Sequence, residues 1–142
     1  MPHTLGQERA AFSLQELRNA LQGPGDAKKK LRDEFPSFSA GLPAMILQNG
    51  FGQTLAFLLA KATDSNGHRF KRDDKHYVAY SIITSWLRRQ GHLQGDGEAD
   101  VIAYISREMT QADYLQAQRE TLALLEWVKR FANAALFDEG GA

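Results

Sequence analysis

Residues 110–137 read TQADYLQAQRETLALLEWVKRFANAALF, and the pattern within them decides the fold. Leu124, Leu125, Trp127, Val128, Phe131, Ala132, Ala135 and Leu136 recur at helical spacing and would cover about half the circumference of one helix. Glu126, Lys129, Arg130 and Asn133 share the opposite side. Thr110, with Asp113 three residues on, makes a capping-box pattern in which Asp replaces the usual Glu. The spacing predicts a helix over 111–137 and a loose tail over 138–142. A stripe that wide must be covered by other helices.

Those helices are legible upstream. Phe12, Leu14, Leu17 and Leu21 mark a helix over about 7–21, stopped by Gly23-Pro24-Gly25. Asp26 is placed to cap a short basic helix that Pro36 ends, because proline disfavours a helical residue before it. Pro43 suits the first turn of a new helix, which ends at Asn49-Gly50 with Gly50 as a left-handed cap. Residues 53–62 are apolar nearly all round, the pattern of a buried helix. A polar loop over 63–74 precedes a helix over 75–90, whose apolar face holds Ala79, Ile83, Trp86 and Leu87. A second loop spans 91–97. Asp100 then caps a short helix through Val101, Ile102 and Ile105, or the β-branched run forms a strand. The reading is one all-α domain over 1–142, a compact bundle of about five to seven helices.

Composition narrows the function. Seventeen Lys and Arg balance seventeen Asp and Glu, so the 142-residue chain carries no formal net charge. A uniformly basic protein that coats nucleic acid or an anionic membrane is therefore excluded, and any nucleic-acid surface must be a local patch. With no cysteine, disulfides, thiol nucleophiles and Cys-based zinc sites are excluded. The longest apolar runs, such as 55–60, fall far short of the roughly 18 residues of a membrane span. Glu8 and Arg9 stand where a secretory signal would place its apolar stretch. The expectation is a cytoplasmic protein with no membrane partner.

Enzyme-like motifs fail one by one. Asp96, Glu98 and Asp100 match positions 1, 3 and 5 of a calcium loop, but Val101 and Arg107 occupy the positions that require Gly and Glu. His3, His68, His76 and His92 are never four residues apart, so no helix face pairs two imidazoles for a metal. Asp73, Asp74 and His76 lie among Lys71, Arg72 and Lys75 and read as a solvated charged loop. Gly50-x-Gly52 lacks the third glycine and the preceding strand of a dinucleotide fingerprint. No cofactor and no catalytic residue is expected.

Three features could serve nucleic acid: Lys28 to Lys30 with Arg32; Arg69, Lys71, Arg72 and Lys75; and a stripe of Tyr77, Ser81, Thr84 and Arg88 opposite the apolar face of its helix. A plain solvated surface competes with each. The helix–turn–helix layout over 42–62 is rejected as a DNA reader, because after Gln53 and Thr54 its second helix offers only apolar residues and Lys61.

Two segments carry a resemblance. LPAMILQNGFGQTLAF at 42–57, and 114–137 with TLALLEWVKRFA at 121–132, resemble the small subunit of the type III-B CRISPR effector, the Cmr complex. Ser85-Trp86-Leu87 is compatible with it, whereas the loops at 23–38 and 63–74 have no counterpart. The resemblance implies an all-α bundle without catalytic activity. Copies would stack along the inner side of an RNA–protein assembly, beside the backbone and large subunits, and help line the channel for guide and target RNA. Lys129 and Arg130 carry over from the motif as RNA contacts, with Glu126 one turn away to pair with either. Arg88, Arg89 and Lys61 are added from the residues themselves, since a sequence-indifferent channel wall needs a few cations on a rigid scaffold. A protein-binding helical adaptor and an enzyme with a dispersed site remain as alternatives.

Overall fold

Thr4 begins the first helix. Its side-chain oxygen accepts from the Gln7 amide at 3.0 Å, and Gln7 returns its own oxygen to the Thr4 amide at 2.8 Å. This reciprocal cap starts α1 (Leu5–Leu21) two residues earlier than its apolar spacing does. The computed structural model describes residues 2–140. After α1 come α2 (Asp26–Asn49), α3 (Phe51–Ala62), α4 (Lys75–Arg89), α5 (Glu98–Ala103), a single π-helical turn (Tyr104–Glu108) and α6 (Gln111–Ala132). Among the described residues there is no strand, only one antiparallel bridge between Thr63 and Phe70. The short segment around Val101 is helical, with Gly97 and not Asp100 at its N-cap.

The largest departure from the sequence reading is α2. Pro36 and Pro43 lie inside one continuous helix, and Gly25, not Asp26, precedes its first residue. Proline removes an amide donor and crowds the carbonyl four residues back, which costs a helix interior about 3 kcal/mol. Leu31, Phe35, Ser39, Leu42 and Ile46 fall on one buried stripe of this helix. Burying each of the large ones contributes roughly 1.5–3 kcal/mol, so the stripe outweighs the proline penalty. The Pro36 carbonyl itself accepts from Ser39 Oγ and from Asn133 Nδ2, both at 3.1 Å, which ties this part of α2 to the end of α6.

Gly50 both ends α2 and precedes α3. Its φ of +89° favours glycine, but its ψ of 159° is extended, so it is not the left-handed cap that the sequence suggested. α3 is also less buried than expected. Phe51, Thr54, Leu55, Leu58, Leu59 and Ala62 face inward, while Gln53, Ala56, Phe57, Ala60 and Lys61 are exposed.

α4 is the central element and packs against α1, α2, α3 and α6. Ala79, Ile83, Trp86 and Leu87 are buried as expected, with Trp86 fully enclosed. α6 lies across α1 and α2 with Leu124, Leu125, Val128 and Ala132 inward. It stops at Ala132, five residues short of the periodic pattern, and Ala135 and Leu136 are exposed. Trp127 and Phe131 are only half-buried, their rings 5.6 Å apart. Asp138, the first residue of the expected loose tail, is held instead. Its carbonyl accepts from the Gly23 amide at 2.8 Å, and its side chain and amide both bond the Gln22 side chain. Of the same expected tail, Gly141 and Ala142 lie outside the described residues.

Candidate nucleic-acid interface

The basic residues singled out from sequence divide into those that hold the fold together and those that face outward. Lys28 Nζ donates to the Asn19 carbonyl at 2.6 Å, and Arg32 Nη1 donates to the carbonyls of Leu21 and Gly23. Half of the first basic cluster therefore fastens the α1–α2 turn. In the second cluster Lys75 pairs with Glu34 at 3.3 Å, and Lys71 lies 3.9 Å from Asp74. Asp74 itself caps α4 by accepting the His76 amide at 2.8 Å. His76 Nδ1 lies 2.7 Å from the same carboxylate, and its ring packs edge-on against Phe38. The Asp73–His76 segment is thus a helix start with a half-buried imidazole, not simply a solvated loop.

The five candidate RNA contacts occupy different surroundings. Lys129 Nζ lies 2.8 Å from Glu126 Oε2, and Arg130 Nη2 lies 3.4 Å from Glu126 Oε1. One carboxylate therefore faces both cations. Lys129, first through its hydrogen bond, holds the Glu126 carboxyl below the ordinary range. Arg89 lies over the rings of Phe12 and Trp86, 5.8 and 5.7 Å from their centroids. Lys61 stands 5.8 Å over Phe57. Arg88 is exposed and borders a recess.

These cations do not form one patch. The α4 start contacts α2 through Lys75–Glu34 and His76–Phe38, and the α6 end contacts α2 through Asn133–Pro36. The α4 end meets the middle of α6, where Trp86 Nε1 donates to Glu120 at 2.8 Å. The two helices therefore run in opposite senses. Lys129 lies nine residues beyond Glu120, about 13 Å at helical rise, so Lys129 and Arg130 sit toward the opposite end of α4 from Arg88 and Arg89.

The stripe expected to face solvent is mostly covered. Tyr77 and Thr84 are buried, Ser81 is half-buried, and only Arg88 is exposed. Arg72 reaches over from the 63–74 loop and donates Nη1–H to the Tyr77 oxygen at 2.7 Å, its guanidinium 5.0 Å from the ring centroid. The Tyr77 hydroxyl donates in turn to Glu98. Nothing in the sequence announces this chain of hydrogen bonds, because Glu98 lies 21 residues from Tyr77, beyond the loop over 91–97.

The other polar contacts missed from sequence join α6 to the rest. Arg9 makes a two-pronged ion pair with Glu120, Nε to Oε1 at 2.7 Å and Nη2 to Oε2 at 2.8 Å. At the start of α3, the Phe51 amide donates to Gln118 Oε1 at 3.0 Å and the Gly52 amide donates to the Tyr114 hydroxyl at 2.8 Å. Side chains of α6 thereby satisfy donors that every helix N-terminus leaves open. Among the described residues no group of three or more His, Asp or Glu side chains gathers as a metal site, and no helix is long and apolar enough to cross a membrane.

An all-α domain with cations at separated points of its surface describes many binding proteins, and the comparisons are more specific. The family of CRISPR-associated proteins called Cas_Cmr5 matches residues 5–135. The chain belongs to this family. It is 29% identical over 133 residues to the CRISPR system Cmr subunit Cmr5 of Thermus thermophilus, an alignment that spans 94% of this chain and 96% of that protein. It also resembles the crystal structure of a CRISPR-associated Cmr5 family protein from Thermus thermophilus. The TM-score is 0.64 at 28% identity, over 96% of this chain and all of the other.

Proposed function

We propose that this chain is a non-catalytic small subunit of a type III-B Cmr effector, acting in the cytoplasm in antiviral defence. It stacks with copies of itself along the inner side of the assembly, beside the backbone and large subunits, and helps line the channel for guide and target RNA. The observation that carries the reading is the family match over nearly the whole chain. The surface agrees with it: Arg130, Arg88 and Lys61 are exposed on helices, where cations can meet backbone phosphates. The zero net charge fits RNA engagement through the assembly more than through the isolated chain.

A protein-only helical adaptor is the second reading. It is favoured by the exposed apolar residues Leu47 and Phe57, at 69% and 38% exposure. One double variant separates the two. Lys129→Glu with Arg130→Glu places two more acids beside Glu126, and should weaken target RNA binding by the assembled complex about tenfold while leaving the fold intact. Undiminished target binding would remove both residues from the interface.

A further inference from the structure

A polar recess of about 360 Å³ opens between α4 and the start of α5, bordered by Arg72, Tyr77, Ser81, Ser85, Arg88 and Glu98. Its donors converge on the Glu98 carboxylate, which accepts the Tyr77 hydrogen bond and lies 3.9 Å from Arg72 Nη2. The Tyr77 hydrogen bond, with help from Arg72 and Arg88, holds this carboxyl below the ordinary range. An anion is therefore stabilised at this point. Tyr80 also lines the recess. It is 3% exposed, and its hydroxyl finds no hydrogen-bond partner among the described residues. Burial, and then Glu98, push that phenol up to about 12, so it stays a neutral O–H donor. Two guanidiniums, two phenols and two serine hydroxyls are the groups that cradle a phosphate, and the protein's own carboxylate stands among them.

We propose that this recess is a binding site for a backbone phosphate of RNA, occupied in the free chain by Glu98. The proposal deepens the reading of Arg88 as an RNA contact and rests on it. Asp96 also lines the recess, so Arg72 and Arg88 are balanced by two acids, and an incoming phosphate must displace Glu98 to find a net positive site. The free chain then binds RNA weakly. Displacement is local, because Glu98 belongs to the first turn of a six-residue helix preceded by Gly95 and Gly97.

The test uses the full-length chain and two probes: a uridine octamer with a free 5′-hydroxyl, which offers phosphodiesters only, and inorganic pyrophosphate alone. Glu98→Gln keeps the side-chain shape and removes the competing charge. Binding of the octamer, measured calorimetrically, should tighten about tenfold. Adding Arg88→Gln, a change at an exposed position, should return it to the wild-type level. Glu98→Asp shortens the carboxylate away from Tyr77 and should shift binding in the same direction, which keeps the test open if the Gln variant does not fold. No gain with either Glu98 variant would overturn the proposal, and so would a gain confined to pyrophosphate, which would make this a free-polyphosphate site. If Lys129→Glu with Arg130→Glu weakens the assembled complex while Glu98→Gln changes nothing in either setting, the recess fails and the RNA-lining reading stands.

Discussion

The Gly52 amide donates to the Tyr114 hydroxyl at 2.8 Å, across 62 residues of chain. This bond joins the two sequence segments, 42–57 and 114–137, that carry the resemblance to the Cmr small subunit. What a motif reading treats as two separate signatures is one structural device. A helix start is presented by glycines so closely to α6 that a side-chain oxygen can cap it. A Cβ on Gly52 would lie 3.3 Å from Ile105 Cγ2, 3.3 Å from the Tyr114 hydroxyl and 3.4 Å from Tyr114 Cε2.

The energetic consequence is measurable. Tyr114→Phe removes the acceptor and leaves a half-buried amide unpaired, and should cost about 1 kcal/mol in urea unfolding. Gly52→Ala forces Tyr114 and Ile105 apart and should cost about 1–3 kcal/mol. The two losses should not add in the double variant, because the residues share one contact. Full additivity would show that they act separately.

Glu120 is held by Arg9 and by the indole N–H of Trp86, with side-chain exposures of 11% for Glu120 and 19% for Arg9. The Arg9 hydrogen bond, first among the causes, lowers the Glu120 carboxyl below its ordinary value. The folded state thus favours the charged form. The stabilisation is fully present above the unfolded carboxyl pKa of about 4.3 and is lost as pH falls through the lowered folded value. Glu120→Gln should cost about 3 kcal/mol at pH 7, since it leaves Arg9 with an uncompensated charge. It should also flatten the acid limb of the stability profile. An unchanged acid limb would assign that limb to other carboxyls.

The prolines of α2 allow a test in the stabilising direction. Pro36→Ala restores an amide for the Arg32 carbonyl and relieves crowding, at the smaller cost of a freer unfolded chain. Stability should rise by about 1–2 kcal/mol in thermal and urea unfolding. A loss would mean that the Pro36 ring is needed where α2 meets Asn133.

Aromatic truncations should separate by burial. Phe35 is fully enclosed, and Phe35→Ala should cost about 3–5 kcal/mol. Trp127 is half-buried, and Trp127→Ala should cost about half as much, mainly through its contact with Phe131. Equal losses in urea unfolding would show that Trp127 is enclosed in solution.

Local pattern made most of the fold readable. The inward faces of α4 and α6 follow helical spacing, and the glycines at 23 and 25 stop α1 where the chain turns. The rest depended on tertiary contact. Pro36 and Pro43 signal breaks that a buried stripe overrides, and Gly50 joins two helices with a conformation its neighbours do not specify. The candidate site was less legible. Tyr77 and Thr84 share a helical face with Arg88 as an exposed stripe would, but α4 is central and both are buried; Arg72, from the loop just before α4, and Glu98, the first residue of α5, cover Tyr77. Glu126 beside Lys129 and Arg130 was readable because helical spacing alone puts it there.

The central claim is membership of a working Cmr assembly. It is tested most directly by tagging this chain in its native host, purifying it under mild conditions, and identifying bound proteins by mass spectrometry and bound RNA by sequencing. The account predicts recovery of the backbone and large Cmr subunits together with CRISPR-derived guide RNA. Recovery of unrelated proteins without RNA would contradict it and favour the adaptor.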